Sequence, residues 1–434
     1  MKLKLNKKAM IQYFLIFLML ISQGSHLYSL NTYGMSMLIL GVCSLLIIRY
    51  KKIVTKNIVF MCLLLAGTVF FVRMLNSGGA GISVLTDYIS KILIMYIAYS
   101  YDKEKFPYRF VRIVYVFAVI SLVFYGISLI SPMAVKSLTS FHRYTEEYKT
   151  TFHGLLLYVL REAEIDRNTG IYMEPGLYQI VLCTCLYLLL FYRKSIGLEN
   201  RKRERYIFVL ILTIISTKST SGLLGMSFLI TIYLITKKDG AKRKIFALAA
   251  LSLALLGINY SINPDKSIIM NNFVSKIMDE SNQINLSASS GKYRMQVVEI
   301  CMETIGNHPL GIGYDNTLDI LFAKYPGAAG AALAIDIMAL GIFPILIILC
   351  EFLRQSFRNR QSVYNVIIFI FFYLNAALAQ SSIFYPTLVI IAYIENEKKF
   401  GQSSIVSVFS TGREATTGRG SLLNPIPAGI EEEG

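Results

Sequence analysis

The sequence predicts an all-α polytopic membrane protein with about twelve transmembrane helices and two large loops on the outer side. Three observations carry this reading. Of 434 residues, 54% are hydrophobic and only 16% are charged, with a mean hydropathy of +0.53, whereas a soluble domain carries about a quarter charged residues. Apolar runs of the length needed to cross a bilayer, about 20 residues, recur along the whole chain. Basic residues collect in alternate gaps between those runs. Such a composition excludes a water-soluble enzyme.

The runs fall near 9–22, 28–48, 57–73, 82–99, 110–131 and 175–192, then 206–217, 221–236, 245–260, 328–350, 362–378 and 381–394. The two that flank Thr217 are short and read either as two spans or as one broken hairpin. No cleavage pattern follows the first run, so it is expected to stay as a helix. Residues 1–399 are expected to form a single transmembrane domain. The tail from 401 to 434 loses the apolar pattern, is rich in Gly, Ser, Thr and Glu, and is expected to be disordered or non-native.

The formal net charge of +16 raises the question of a polyanionic partner, which the placement of the basic residues answers. With residues 1–8 in the cytoplasm, the segments 49–56, 102–112, 193–205, 237–244, 354–360 and 395–399 also lie inside. These seven segments hold 28 of the 43 Lys and Arg residues, the positive-inside pattern of a polytopic membrane protein. Nucleic-acid binding would need one folded basic face with stacking aromatics, so no nucleic-acid partner is expected. Both termini are expected in the cytoplasm.

This parity leaves 131–169 and 261–327 as the two long outer segments. Twelve-helix transporters concentrate polar residues at mid-membrane between repeats, but here no internal repeat is visible and polarity sits in the outer loops. Five cysteines lie in spans and only Cys301 in an outer loop, so no structural disulfide is expected there. Cys183 and Cys185 are two apart on a helix and face different ways, which argues against a metal pair. Asp87 and Lys91, four apart in the fourth span, read as a buried ion pair, with a proton pathway as the alternative.

The first outer loop gains charge towards the membrane: Arg161, Glu162, Glu164, Asp166 and Arg167 precede Gly170, and Glu174-Pro175-Gly176 opens the next apolar run. Pro suits the first position of a helix, which places Glu174 at the N-cap, where free N–H groups and the helix dipole stabilise a carboxylate. It is either a cap paired with Arg167 or a functional carboxylate. After the next inner turn, Ser216 to Ser221 places Lys218 among hydroxyls between two apolar stretches. Lys218 and Ser219 then either hold phosphate oxygens or serve as an interfacial snorkel and helix bridge.

In the second outer loop Met295, Val298, Met302 and Ile305 recur at helical spacing, which predicts an amphipathic helix with Arg294 at its start and the methionines in its packed face. It should stop at Gly306, before the tight turn His308-Pro309-Leu310-Gly311-Ile312-Gly313. A Gly-rich turn at a membrane surface lets backbone N–H groups approach a ligand, and His308 by itself reads as structural. Asp315 and Asp319 are four apart but lack a third ligand for Mg²⁺. The first outer turn, 22–27, holds no acidic residue. No metal and no cofactor are expected.

Together, Arg167-Asn-Thr-Gly170-Ile-Tyr-Met-Glu174-Pro175-Gly176, the polar break at Lys218 to Gly222, and Arg294 followed by Asn307-His308-Pro309-Leu310-Gly311-Ile312-Gly313 resemble the Wzy-type O-antigen polymerases over roughly residues 140–395. The likeness extends more loosely to the O-antigen ligases. Those carry a His-Asn pair where this sequence reads Ala334-Ile335-Asp336-Ile337-Met338, a departure that weighs against ligase chemistry and leaves Asp336 as the ionisable group there. The resemblance implies an inverting, metal-independent membrane glycosyltransferase of lipopolysaccharide or other surface polysaccharide biosynthesis. It would join oligosaccharide repeat units carried on undecaprenyl pyrophosphate at the outer face of the bacterial inner membrane. It also leaves room for a chain-length regulator membrane protein as partner. Displacing a lipid pyrophosphate calls for positive charge on the leaving group and a base near the incoming hydroxyl. Arg167, Lys218 and Arg294, with Ser219, Gly311 and Gly313, are the candidates for the first role. Glu174, Asp336 and His308 are the candidates for the second, Glu174 being expected to be essential in either role. A lipid-linked oligosaccharide flippase is the rival from another class.

Overall fold

The computed structural model describes residues 6–50, 53–76, 82–139, 141–145, 150–236, 289–324, 331–359, 363–380 and 383–395. The expected span at 245–260, the start of the second outer loop and the tail after 401 lie outside these residues. The described chain is mostly helical, as the hydropathy requires.

The first half is built from α1 (Lys7–Ile21), α2 (His26–Leu30), α3 (Thr32–Arg49), α4 (Lys56–Leu75), α5 (Ile82–Ser100) and α6 (Phe106–Ile130). Asn6 and Asn31 cap α1 and α3 by accepting from the N–H groups of Lys8 and Gly34 at 3.0 and 2.8 Å, as short polar side chains do at helix starts. Helices α3 to α6 are each long and apolar enough to cross a membrane. Helix α4 shows why such helices need lipid: Ile58, Met61, Leu65, Val69 and Val72 recur at helical spacing and are buried, while Phe60, Leu63, Phe70 and Met74 point outward from the protein. An apolar face of that size is unstable in water and at home in a bilayer.

The second half contains α8 (Pro175–Phe191), the short α9 (Arg193–Ile196), α10 (Asn200–Ser216) and α11 (Thr220–Thr236). Between the halves lies α7 (Pro132–Leu138). Every residue of α8 from Pro175 to Leu190 is buried, and the helix packs against α6, α10 and α11. A helix apolar all round must sit inside a bundle, so α8 is the axis of the fold. The polar stretch after Ser216 separates α10 from α11 at Thr217–Ser219.

Beyond 288 the chain forms α12 (Ser289–Asn307), α13 (Tyr314–Lys324), α14 (Ala332–Leu340), α15 (Ile342–Asn359), α16 (Val363–Ala379) and α17 (Pro386–Tyr393). The run at 328–350, expected as one span, is two helices broken at Gly341. The cause is local: Gly341 has φ +88°, and a Cβ there would lie 2.7 Å from the carbonyl carbon of Leu310. The last run, expected to be a span, shortens to the eight residues of α17, preceded by extended Tyr385.

The first outer loop corrects the all-α expectation. It folds into a three-stranded antiparallel sheet of β1 (Phe141–Thr145), β2 (Thr150–Leu155) and β3 (Tyr158–Arg161), with Phe141 opposite Gly154 and Phe152 opposite Arg161. Thr, Phe, Tyr and Val in these short runs favour a pleated surface, a local signal overridden in the sequence reading by the surrounding helices. The sheet docks on the α1–α2 turn. There the His26 ring fills the space above Gly154, where a Cβ would lie 2.4 Å from it, and Arg143 donates to the Ser29 carbonyl.

Helix α12 forms, and Val298 and Ile305 of the expected face pack, but the methionines do not. Val297, Ile300 and Cys301 are buried, whereas Met295 and Met302 are exposed. Two groups of polar contacts between distant segments lie at opposite ends of the helices they join. Lys8 and Arg109 meet Asp102, and Lys103 meets Glu395, at 3.4, 2.7 and 3.1 Å. At the other end Ser25 pairs with Tyr172, and Asn76 with the Gly311 carbonyl at 3.3 Å.

Candidate active site

The approach to α8 is built from inside outward. Asn168 is fully buried; its N–H donates to the Ser216 carbonyl at 2.9 Å, its amide to Ser121 and Ser216 at 3.1 and 3.0 Å, and its Oδ1 accepts from the Gly170 N–H. A saturated buried amide fixes a loop tightly. The loop therefore hangs on the end of α10. Gly170 then takes φ +58°, with the Tyr178 ring 2.7 Å from where a Cβ would be, so glycine is required both by conformation and by space.

Arg167 reaches the Thr217 carbonyl at 3.2 Å and the Glu164 carboxylate at 2.9 Å. Arg161 shares that carboxylate at 3.0 Å. Lys218, held at φ +49°, places its ammonium 2.5 Å from Asp166. The structure thus brings Arg167, Lys218 and Ser219 to one place, as the loop and the polar break suggested, but each cation already has a carboxylate. Arg167 pairs with Glu164.

Glu174 occupies the N-cap of α8 in extended conformation with Pro175 at the first position, and its side chain makes no capping hydrogen bond. Its charge is felt by Arg294 of α12. Burial lowers the pKa of the Arg294 guanidinium from its ordinary value while the Glu174 charge raises it, and burial prevails. The Arg294 Nε is enclosed without a hydrogen-bond partner, a costly state for a charged group. Among the described candidates, an expected anion binder and an expected base here feel each other's charge.

The remaining candidates sit elsewhere. Asp336 of α14 is fully buried; it accepts from Tyr88 at 2.5 Å, from Tyr314 at 3.2 Å and from the Ile383 N–H at 3.4 Å. Asp87 and Lys91 form the expected pair at 2.7 Å, with Tyr28 donating to the same carboxylate. Gly311 and Gly313 lie on the α14–α15 break: the Ile312 and Gly313 N–H groups donate to the Met338 and Ala339 carbonyls at 3.0 Å, and the Gly311 N–H donates to the His308 carbonyl. The glycines permit two backbones to touch, with their N–H groups spent on the fold. His308 is exposed after α12, and Asp315 and Asp319 are exposed on α13. Among the described residues no three His, Cys, Asp or Glu side chains gather as a metal site.

A model of the WcaD colanic acid polymerase family matches residues 12–269, more than half of the sequence. The chain belongs to that family. Its membership makes it a polymerase of polysaccharide repeat units, an enzyme of the membrane acting on lipid-linked oligosaccharide. The match takes in Arg167, Glu174, Lys218 and Ser219 and ends before Arg294, His308, Gly311, Gly313 and Asp336. No curated protein and no solved structure matches the chain.

Sequence reasoning passed over Asn168, Gln179, Asn375, Gln380, Tyr88 and Tyr314. The amides carried a usable signal, since each interrupts or borders an apolar run in which a polar side chain is expensive. The tyrosines carried none, because Tyr is frequent throughout this chain.

Proposed function

We propose that this protein joins oligosaccharide repeat units carried on undecaprenyl pyrophosphate into a colanic-acid-like or other surface polysaccharide. It acts as an inverting, metal-independent glycosyltransferase on the outer face of the cytoplasmic membrane. The observation that carries the proposal is an enclosed arginine, Arg294, whose Nε has no hydrogen-bond partner and which feels the charge of Glu174 at the start of α8, in a chain of a polysaccharide polymerase family. In this reading a hydroxyl of the incoming unit attacks the anomeric carbon of the growing chain, whose bond to pyrophosphate breaks. Arg294 takes charge developing on the leaving diphosphate, and Glu174 accepts or orients the hydroxyl proton. Arg167 and Lys218 frame the same approach, each able to trade its carboxylate for a phosphate oxygen. Asp336, enclosed by two tyrosines, positions the segment around Ile383 rather than touching sugar. The clustering of Lys8, Asp102, Lys103 and Glu395 at one end of the bundle and of Tyr172, Ser25 and Gly311 at the other supports the assigned sidedness.

The test is reconstitution of the purified chain with a lipid-linked repeat unit. Arg294→Ala and Glu174→Gln should each slow ladder formation by about 10²–10³-fold, the loss typical of removing one stabilising group, and a chelator should change nothing. Ladders of normal length in both variants would overturn the site, and loss of the ladder with chelator would overturn the metal-independent mechanism. In a deletion strain, polymer left on the carrier identifies a ligase, and units held on the cytoplasmic leaflet identify a flippase.

A further inference from the structure

Beside Glu174, on the first turns of α8, lies a set of uncharged polar side chains that the mechanism leaves unused. Gln380 follows α16, is 4% exposed, and has an amide Oε1 without a hydrogen-bond partner. Its Nε2 lies 2.3 Å from where a Cβ on Gly176 would be, so the amide rests on the first turn of α8, two residues from Glu174. One turn on, on the same face, buried Gln179 donates to Ser221 Oγ at 3.3 Å, and Gly222 leaves room for it. Ser219 and Ser221 are 3.1 Å apart, and Asn375 of α16 donates to the Ser221 carbonyl at 3.1 Å.

We propose that Gln380, with Gln179, Ser221 and Asn375, is the subsite that holds sugar hydroxyls of the repeat unit against the start of α8. This rests on the polymerase reading above and adds the group that recognises the neutral part of the substrate. A polar cluster serving only to bridge helices would saturate its own members. This cluster gives Gln179 and Ser221 partners among its own members but leaves the buried Gln380 amide oxygen open, next to the residues that handle the diphosphate. A primary amide offers both an acceptor and donors, matching a sugar hydroxyl, which also does both, and it carries no charge for which a phosphate would compete. Gly176 and Gly222 are the positions where a side chain would fill the space these amides occupy.

The experiment measures binding of two probes to the full chain in nanodiscs: the lipid-linked repeat unit, and undecaprenyl pyrophosphate bearing no sugar. Gln380→Met keeps the volume and removes the amide; it should weaken binding of the glycosylated probe about tenfold, or about 1.4 kcal/mol, and change the bare probe by less than about twofold. Gly176→Ala, which pushes the amide aside without deleting it, should reproduce that split and guards against a folding defect in the first variant. Equal weakening of both probes, or none, overturns the subsite. If the unaltered chain binds the two probes with the same affinity, the subsite fails while ladder formation still upholds the polymerase. If it prefers the glycosylated probe yet forms no ladder, the polymerase reading fails and the subsite stands.

Discussion

Asp336 separates a chemical role from a structural one most cleanly. Its carboxylate is fully buried and satisfies three donors: the Tyr88 and Tyr314 hydroxyls and the Ile383 N–H. The Tyr88 and Tyr314 hydroxyl oxygens lie 2.8 Å apart, and the Tyr88 ring is tilted against Phe384, with ring centroids 4.5 Å apart. The network therefore ties α5, α13 and α14 to the segment that carries Gln380 and Tyr385. Asp336→Leu strands three donors at about 1–3 kcal/mol each, partly offset because a buried carboxylate no longer has to be desolvated. The expected loss is about 3–6 kcal/mol. Asp336→Asn keeps one acceptor and sets its NH₂ against a donor, a loss of about 1–3 kcal/mol. The assay is thermal unfolding in detergent beside ladder formation in liposomes. The Asn variant should unfold earlier and still polymerise, while the Leu variant should lose both fold and activity. An Asn variant with unchanged stability and no ladder would make Asp336 a catalytic base and refute the positioning role.

Acidification should loosen the outer sheet from the bundle in two stages. Burial, aided by Arg143, lowers the His26 pKa below its ordinary 6.5, so the unfolded chain takes up the proton first and docking weakens as pH falls below about 6.5. The hydrogen bond from Lys136, then that from His153, brings Glu162 from 4.5 to about 2; stability from this pair is complete above 4.5 and lost on descent towards 2. Hydrogen exchange over residues 141–161 between pH 7 and 3 should reveal both stages, and His26→Phe should erase the first alone. Gly170→Ala should cost about 2–4 kcal/mol, the sum of a left-handed non-glycine residue and overpacking against Tyr178; an unchanged thermal midpoint would show that the loop bends elsewhere.

The helices were legible because lipid imposes a simple rule, and α8 and α4 follow it in opposite ways: one is enclosed on all sides and the other keeps an apolar face outward. What hydropathy could not give was the path of the backbone between helices. Gly341 ends α14 because Leu310 and Gly311 lie against it, a contact between segments about 30 residues apart that no window of sequence contains. The same limit explains α12. Met295 and Met302 share a periodicity with the apolar residues, and only the position of α14 decided that Val297, Ile300 and Cys301 would face inward. At the site, the residue types were readable and their pairing was not: Arg167 was open to pairing with Glu174, whereas the structure gives it Glu164, and the Glu174 charge is felt by Arg294, 120 positions away.

That exchange of partners has a physical consequence for how a membrane enzyme stores positive charge. Unpaired cations at the edge of a low-dielectric region are costly, and here Arg161 and Arg167 share Glu164 while Lys218 takes Asp166. These pairs keep this part of the surface nearly neutral, and on the proposed function a ligand carrying two phosphates would exchange with their carboxylates. Asp166 is 59% exposed while Lys218 is only 14% exposed, so the carboxylate can turn to water when a phosphate oxygen takes its place on the ammonium. Arg294 is different: its Nε is buried and open, and only Glu174 opposes the burial that lowers its pKa. Surface pairs that release easily and one enclosed cation that does not would draw the diphosphate inward, past Lys218 and Arg167, to the place where the bond must break.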